Sequence, residues 1–128
     1  DLHLSRGLGD VYKRQILSSG GSRDNKKLIS PQTLDLITTQ ISNGPDTVLM
    51  GGDVAFGLGY MLYNKTARVE ESPKHTKGYF GHAGIGGAVA YGDKDKNLGF
   101  AFVCNKEHEI RELYKTSNEM SKALHSII

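Results

Sequence analysis

The chain has 128 residues, enough for one small domain, with 16 basic and 14 acidic side chains and a formal charge of +2. That near balance, with no basic stripe interleaved with aromatics, argues against a nucleic-acid surface, and no apolar run approaches the length of a membrane span. The single cysteine, Cys104, excludes an internal disulfide and reads as a buried thiol in an apolar strand.

Residues 1–15 stand apart from the rest. Asp10-Val11-Tyr12-Lys13-Arg14-Gln15 can be encoded by GAT GTG TAT AAG AGA CAG, a string that resembles the mosaic end of a transposase used to fragment DNA for sequencing. The expectation is that residues 1–15 are translated adaptor and that the domain occupies residues 16–128. Leaving them out removes three basic and two acidic side chains and brings the formal charge to +1. Gly7-x-Gly9 lacks a third glycine and is no nucleotide motif.

Residues 16–19 read as the last turn of a helix ended by Gly20-Gly21. A polar loop runs to Lys27. Ser30 then caps a helix with Pro31 at its first position and Leu34, Ile37 and Ile41 on one face. Asn43-Gly44-Pro45-Asp46 breaks the chain. Residues 55–63 read as one strand with Phe56, Leu58, Tyr60 and Leu62 on one face. A polar connection follows over residues 64–76. It contains His75 and opens with Asn64-Lys65-Thr66, which fits a glycosylation sequon.

Residues 78–82 and 86–92 read as short strands around a glycine-rich bend. A turn at Asp93 to Asn97 leads into a strand over residues 98–105, whose near-continuous apolar character predicts burial on both faces. Residues 86–105 thus form a hairpin. From Glu107 to Ile127 the period becomes helical, with Ile110, Leu113, Tyr114, Ser117, Met120, Leu124 and Ile127 in one stripe that covers the sheet. His108-Glu109 does not begin a zinc motif, since Glu112 stands where the second histidine would be, and no metal is expected. His125, near the end of this helix, is suited to complement its dipole. Lys26-Lys27 and Lys94-Asp95-Lys96 read as solvated turns.

The bend is the richest local signal. Gly81-His82-Ala83-Gly84-Ile85-Gly86-Gly87 puts an imidazole beside glycines at a sheet edge, where a backbone can approach a substrate closely. No Lys-Ser/Thr follows, and the next segment reads as strand, which argues against a phosphate loop. Tyr79, Phe80 and Tyr91 are read mainly as core aromatics.

Taken with Phe56-Gly57-Leu58-Gly59-Tyr60 upstream and residues 97–105 downstream, this stretch resembles the C-terminal part of the serine β-lactamase-related superfamily. That group holds class C β-lactamases, D,D-peptidases and family VIII carboxylesterases. His82-Ala83-Gly84 resembles the His-x-Gly form of its third motif, while Ser18-Ser19-Gly20-Gly21 and Leu28-Ile29-Ser30-Pro31-Gln32-Thr33 resemble its helix-end and Ser-Pro-Glu/Gln-Thr segments. Two features depart from the pattern. Ala83 stands where many members carry a hydroxyl. The Ser-x-x-Lys motif and the Tyr-x-Asn or Tyr-x-Ser motif have no match in a fitting context: Ser22-Arg23-Asp24-Asn25, Ser72-Pro73-Lys74-His75 and Tyr63-Asn64-Lys65 all fail.

The resemblance implies an α/β (α+β) fold, with antiparallel sheet strands and a packing C-terminal helix, and a nucleophile upstream of this chain. It implies acyl transfer from an ester, amide or peptide through an acyl-serine, without metal or cofactor. In that scheme the backbone N–H of Ile85 donates to the oxyanion and His82 acts electrostatically near the substrate or the proton path. Ala83, Gly84 and Gly86 line the substrate, with Gly86 and Gly87 keeping the bend open. The expected partner is a small-molecule or peptide acyl substrate; compartment and oligomeric state are not encoded in any motif. The same resemblance admits a non-catalytic homologue that binds or scaffolds. An unrelated small binding domain is the reading if residues 1–15 are genuine.

Overall fold

A computed structural model describes residues 6–48, 52–65, 76–84, 86–106, 109 and 112–128. The first element, α1, runs from Arg6 to Ser18, so the helix expected only at residues 16–19 extends back through residues 6–15. Its end follows the glycine signal. Gly20 and Gly21 both take φ 81°, and their amides bond back to the carbonyls of Leu17 (3.3 Å) and Ile16 (2.8 Å). This is the Schellman arrangement that satisfies orphan helix carbonyls.

The stretch read as a polar loop is a small hairpin, β1 (Ser22–Arg23) paired with β2 (Lys26–Lys27). Asp24 and Asn25 sit at its tip with φ 49° and 61°, the signature of a type I′ turn. Ser30 caps α2 (Pro31–Thr38) as expected, its hydroxyl accepting from the Thr33 amide at 3.1 Å. The helix stops early, at an extended Thr39 (φ −77°, ψ 129°), where the hydroxyls of Thr38 and Thr39 turn back to the carbonyls of Leu34 (3.1 Å) and Asp35 (2.7 Å). Ile41 therefore lies beyond the helix and is exposed, while Leu34 and Ile37 are half-buried.

Six antiparallel strands form the main sheet in sequence order: β3 (Ser42–Pro45), β4 (Asp53–Phe56), β5 (Met61–Leu62), β6 (Tyr79–Ala83), β7 (Val89–Asp93) and β8 (Leu98–Phe102). Three expectations change here. The predicted break at residues 43–46 is mostly an edge strand, which tolerates Pro45 at its end. The single strand expected over residues 55–63 is the hairpin of β4 and β5: Gly57 donates to the Tyr60 carbonyl at 2.9 Å, Gly59 takes φ 81°, and Leu58 is exposed. Third, β8 is not buried on both faces. It stands at the sheet edge among the described residues, and all five of its residues are half-buried.

Register separates the two faces. Tyr79, Gly81 and Ala83 lie opposite Asp93, Tyr91 and Val89, so these six share one face. Phe80, His82, Ala90 and Gly92 share the other. Phe80 packs with Leu17, Ala55 and Leu62, and Ile29 and Leu34 join that cluster. On this side α1 lies close over β7 and β8, because Gly92 and Gly99 face each other without side chains. A Cβ at Gly99 would meet the Val11 carbonyl and Gln15 amide at 2.7 Å, and one at Gly92 would strike Phe80 and Ser18. The helix then satisfies the strand: Gln15 bonds the Asn97 carbonyl (2.7 Å) and the Gly99 amide (3.0 Å), and Ser18 donates to the Leu98 carbonyl (2.7 Å).

The opposite face is covered by α3 (Lys115–His125), which begins later than expected. Ile110 lies outside the described residues. The buried positions are Tyr114, Ser117 and Ser121; Met120 and Ile127, assigned to the packing stripe, are exposed. Two serines replace large apolar residues because Tyr91 fills the space beneath, its hydroxyl bonded to that of Ser121. His125 lies in the last turn of α3, as expected, and also reaches a carboxylate on the sheet. Its Nε2 is 3.0 Å from Asp93 Oδ2 and its Nδ1 2.9 Å from the Ser121 carbonyl, and the two side chains are only 9% and 2% exposed.

Thr76 donates to the same carboxylate, and the amides of Asp95 (2.9 Å) and Lys96 (3.2 Å) complete its shell. Burial is the largest influence on this carboxyl and acts to raise it. The bonds from Thr76, His125 and the two amides outweigh burial and hold the group below its ordinary 3.8. Burial pushes the Tyr91 phenol up from 10.0 to about 12, with Asp93 adding and Ser121 opposing.

These directions set the pH limits of stability. The Asp93 contribution is present above 3.8 and lost as the pH falls through the lower folded value. The Tyr91 contribution is present below 10.0 and lost as the pH rises from there through about 12. Asp93→Asn should cost about 3 kcal/mol near neutrality and flatten the acid limb, as read by urea unfolding across pH. An acid limb identical to wild type would contradict this assignment.

Candidate active site

The candidate site is the end of β6 and the bend that joins it to β7. Inside the bend the Gly84 amide donates to the Ala88 carbonyl at 2.7 Å, and the Gly87 amide to the Gly84 carbonyl at 2.9 Å. Gly87 takes φ 95°, which requires glycine there. Ile85, the expected oxyanion donor, lies outside the described residues, as does His75. The flanking Gly84 and Gly86 are described.

His82 is exposed on the sheet face that bears Phe80, and its Nδ1 sits 2.8 Å from the Ala83 carbonyl. Ala83 points the other way and packs against the cluster of Tyr79, Val89 and Tyr91. A substrate on the His82 face would therefore meet Ala83 through its backbone only. Gly84 is exposed, and a Cβ built there would find nothing nearer than the Ala88 carbonyl at 3.7 Å. The chain's own packing does not demand glycine at this position. Gly81 differs: a Cβ would lie 2.5 Å from both the Ala90 carbonyl and the Tyr91 Cβ, so glycine makes room for the tyrosine.

Two residues that the sequence reading did not connect with the bend hold it from behind. The Tyr114 hydroxyl donates to the Gly84 carbonyl at 3.1 Å, and the Cys104 thiol to the Gly86 carbonyl at 3.4 Å. Cys104 lies just past β8 and is half-buried, not sunk in a strand core. Sequence separations of 30 and 18 residues leave no local pattern that would reveal these bonds.

Other candidates separate from the bend. Asn64 of the sequon is 7% exposed and donates to Asn43 Oδ1 at 3.1 Å, so its amide is engaged inside the fold. Two cavities of about 190 Å³ lie elsewhere, one along β3 and β4 and the other lined by Thr38, Tyr63, Lys77, Tyr79 and Lys94; neither includes His82 or the bend. Among the described residues no cluster of His, Cys, Asp or Glu could hold a metal ion, and no helix is long and apolar enough to cross a membrane.

An antiparallel sheet packed with helices, the last of them C-terminal, is a β-lactamase-like fold. Residues 6–123 match the Beta-lactamase family model, and the chain belongs to that family, within the serine β-lactamase-related superfamily. The match includes residues 6–15 of α1. A solved penicillin-binding protein homologue from Caulobacter crescentus is 30% identical, with a TM-score of 0.65 over 77% of this chain and 25% of its own. A family VIII carboxylesterase shares the fold at 21% identity and a TM-score of 0.68, over 84% of this chain and 30% of its own. The chain thus spans less than a third of either solved structure. A comparison with curated proteins gives no match.

The packing around the bend separates two neighbouring residues. Gly81→Ala should destabilise the protein by about 2 kcal/mol through overpacking against Tyr91. His82→Ala should stay within about 0.5 kcal/mol of wild type, because the ring is exposed. Urea midpoints measure both, and equal losses would contradict the geometry.

Proposed function

We propose that this chain carries the third active-site motif of a serine hydrolase that cleaves an ester, amide or peptide. The nucleophile and its base lie outside residues 1–128. One observation carries the reading: the exposed His82 stands two residues before Gly84, a glycine that the chain's own packing does not require, on a bend braced from the core side. A glycine without an internal reason fits a position kept clear for close approach of another molecule. The likeness to a penicillin-binding protein homologue and a carboxylesterase supports acyl substrates, small-molecule or peptide.

In the proposed reaction the serine hydroxyl gives its proton to a neighbouring base as its oxygen bonds to the substrate carbonyl. The carbonyl π pair moves onto oxygen. The nucleophile's own amide and the amide of Ile85 donate to that oxyanion, where preorganised donors act most strongly. Collapse expels the leaving group with a proton and leaves an acyl-serine, which water hydrolyses by the same steps. His82 contributes a hydrogen bond and local charge beside the substrate or the proton path. Gly84 and Gly86 leave room along the strand edge, and Ala83 offers backbone alone. No metal or cofactor is needed.

The test uses the full-length protein and an activated ester. His82→Ala should lower kcat/KM by about 100-fold with the unfolding midpoint unchanged. Unchanged kinetics would remove His82 from the site. A wild-type protein that binds acyl peptides but turns none over would favour a binding or scaffold role, consistent with the hydroxyl missing at Ala83.

A further inference from the structure

We propose that Tyr114 is a positioning residue that aims the oxyanion-binding edge of the bend, an inference that rests on the hydrolase reading above. The Gly84 carbonyl receives two donors, the Gly87 amide at 2.9 Å within the bend and the Tyr114 hydroxyl at 3.1 Å from outside it. The two bonds differ in kind. The first moves with the bend; the second ties the bend to the core, because Tyr114 is 7% exposed and packs with Tyr79, Val89 and Tyr91. A peptide unit is planar and trans, so fixing its carbonyl fixes the joined amide, which points the opposite way. Drawing the Gly84 oxygen toward Tyr114 fixes the plane of that unit. In the proposed reaction this amide is the one that meets the oxyanion. The Cys104 thiol acts in the same sense on the Gly86 carbonyl, through a weaker donor.

Tyr114 stands at the N-terminal end of α3 and makes no side-chain cap for that helix, so its hydroxyl is directed to the bend and not to the helix terminus. Placement of the donor therefore depends on how α3 sits on the sheet.

The experiment compares Tyr114→Phe with Tyr91→Phe in the full-length protein. Each removes one hydroxyl bonded within the same core, but only the first touches the bend. Two quantities are read: hydrogen exchange of the segment 84–88, and kcat and KM for an activated ester. Tyr114→Phe should speed exchange of that segment about fivefold and lower kcat about tenfold, with KM little changed, in line with one lost hydrogen bond. Tyr91→Phe should lower the unfolding midpoint and leave both readings at wild-type values. Exchange that does not respond to Tyr114→Phe overturns the proposal, as does an equal loss of kcat in Tyr91→Phe. Faster exchange with kcat unchanged overturns the positioning role and leaves the hydrolase reading standing. Exchange that responds in a protein with no turnover at all overturns the hydrolase reading and the positioning role with it.

Discussion

A carboxylate placed under a helix stays charged only if donors replace its water. Asp93 meets that condition through four of them: the Thr76 hydroxyl, the His125 ring and the amides of Asp95 and Lys96. Much of the α3 face follows from this. His125 must reach the sheet, so the C-terminal turn of α3 lies over the end of β7. Residues 117 and 121 must be small, because the Tyr91 ring occupies the space between helix and sheet. The helix is thus held to the sheet by buried polar bonds from Ser121 and His125. Such bonds fix one register, since sliding the helix by a turn would strand several buried groups at once.

The other end of the same helix meets the candidate site. From Tyr114 to His125, α3 covers about 16 Å, and from the bend to Asp93, β7 covers about the same length. The helix therefore runs alongside β7, with the Asp93–His125 pair at one end and the Tyr114–Gly84 bond at the other. Support for the bend comes from the face opposite His82. That division leaves the His82 ring itself exposed, free for the reaction proposed for it.

The sequence disclosed features written in short windows. The Ser30–Pro31 cap, the Gly20-Gly21 stop, the β7–β8 hairpin and the histidine–glycine bend each depend on residues a few positions apart, and each was legible. The β4–β5 hairpin was missed because Phe56, Leu58, Tyr60 and Leu62 continue the alternation of a strand straight through its turn, and only Gly57 and Gly59 mark the reversal. The edge position of β8 was hidden because an apolar strand looks alike whether a strand or a helix covers it. Polar anchors were the least legible. Asp93 and His125 are 32 residues apart, Tyr91 and Ser121 are 30, and nothing local announces either pair. A serine at a helical core position reads as a weakness in an apolar stripe until the tyrosine opposite it is known.

The central claim is that this chain completes the active site of an acyl-serine hydrolase. Labelling of the full-length protein with a fluorophosphonate, followed by peptide mapping of the adduct, tests it most directly. The account predicts one phosphonyl group on a single serine outside residues 1–128, formed much more slowly when His82 is replaced by alanine. No adduct, or an adduct on a serine of this chain such as Ser18 or Ser117, would contradict it.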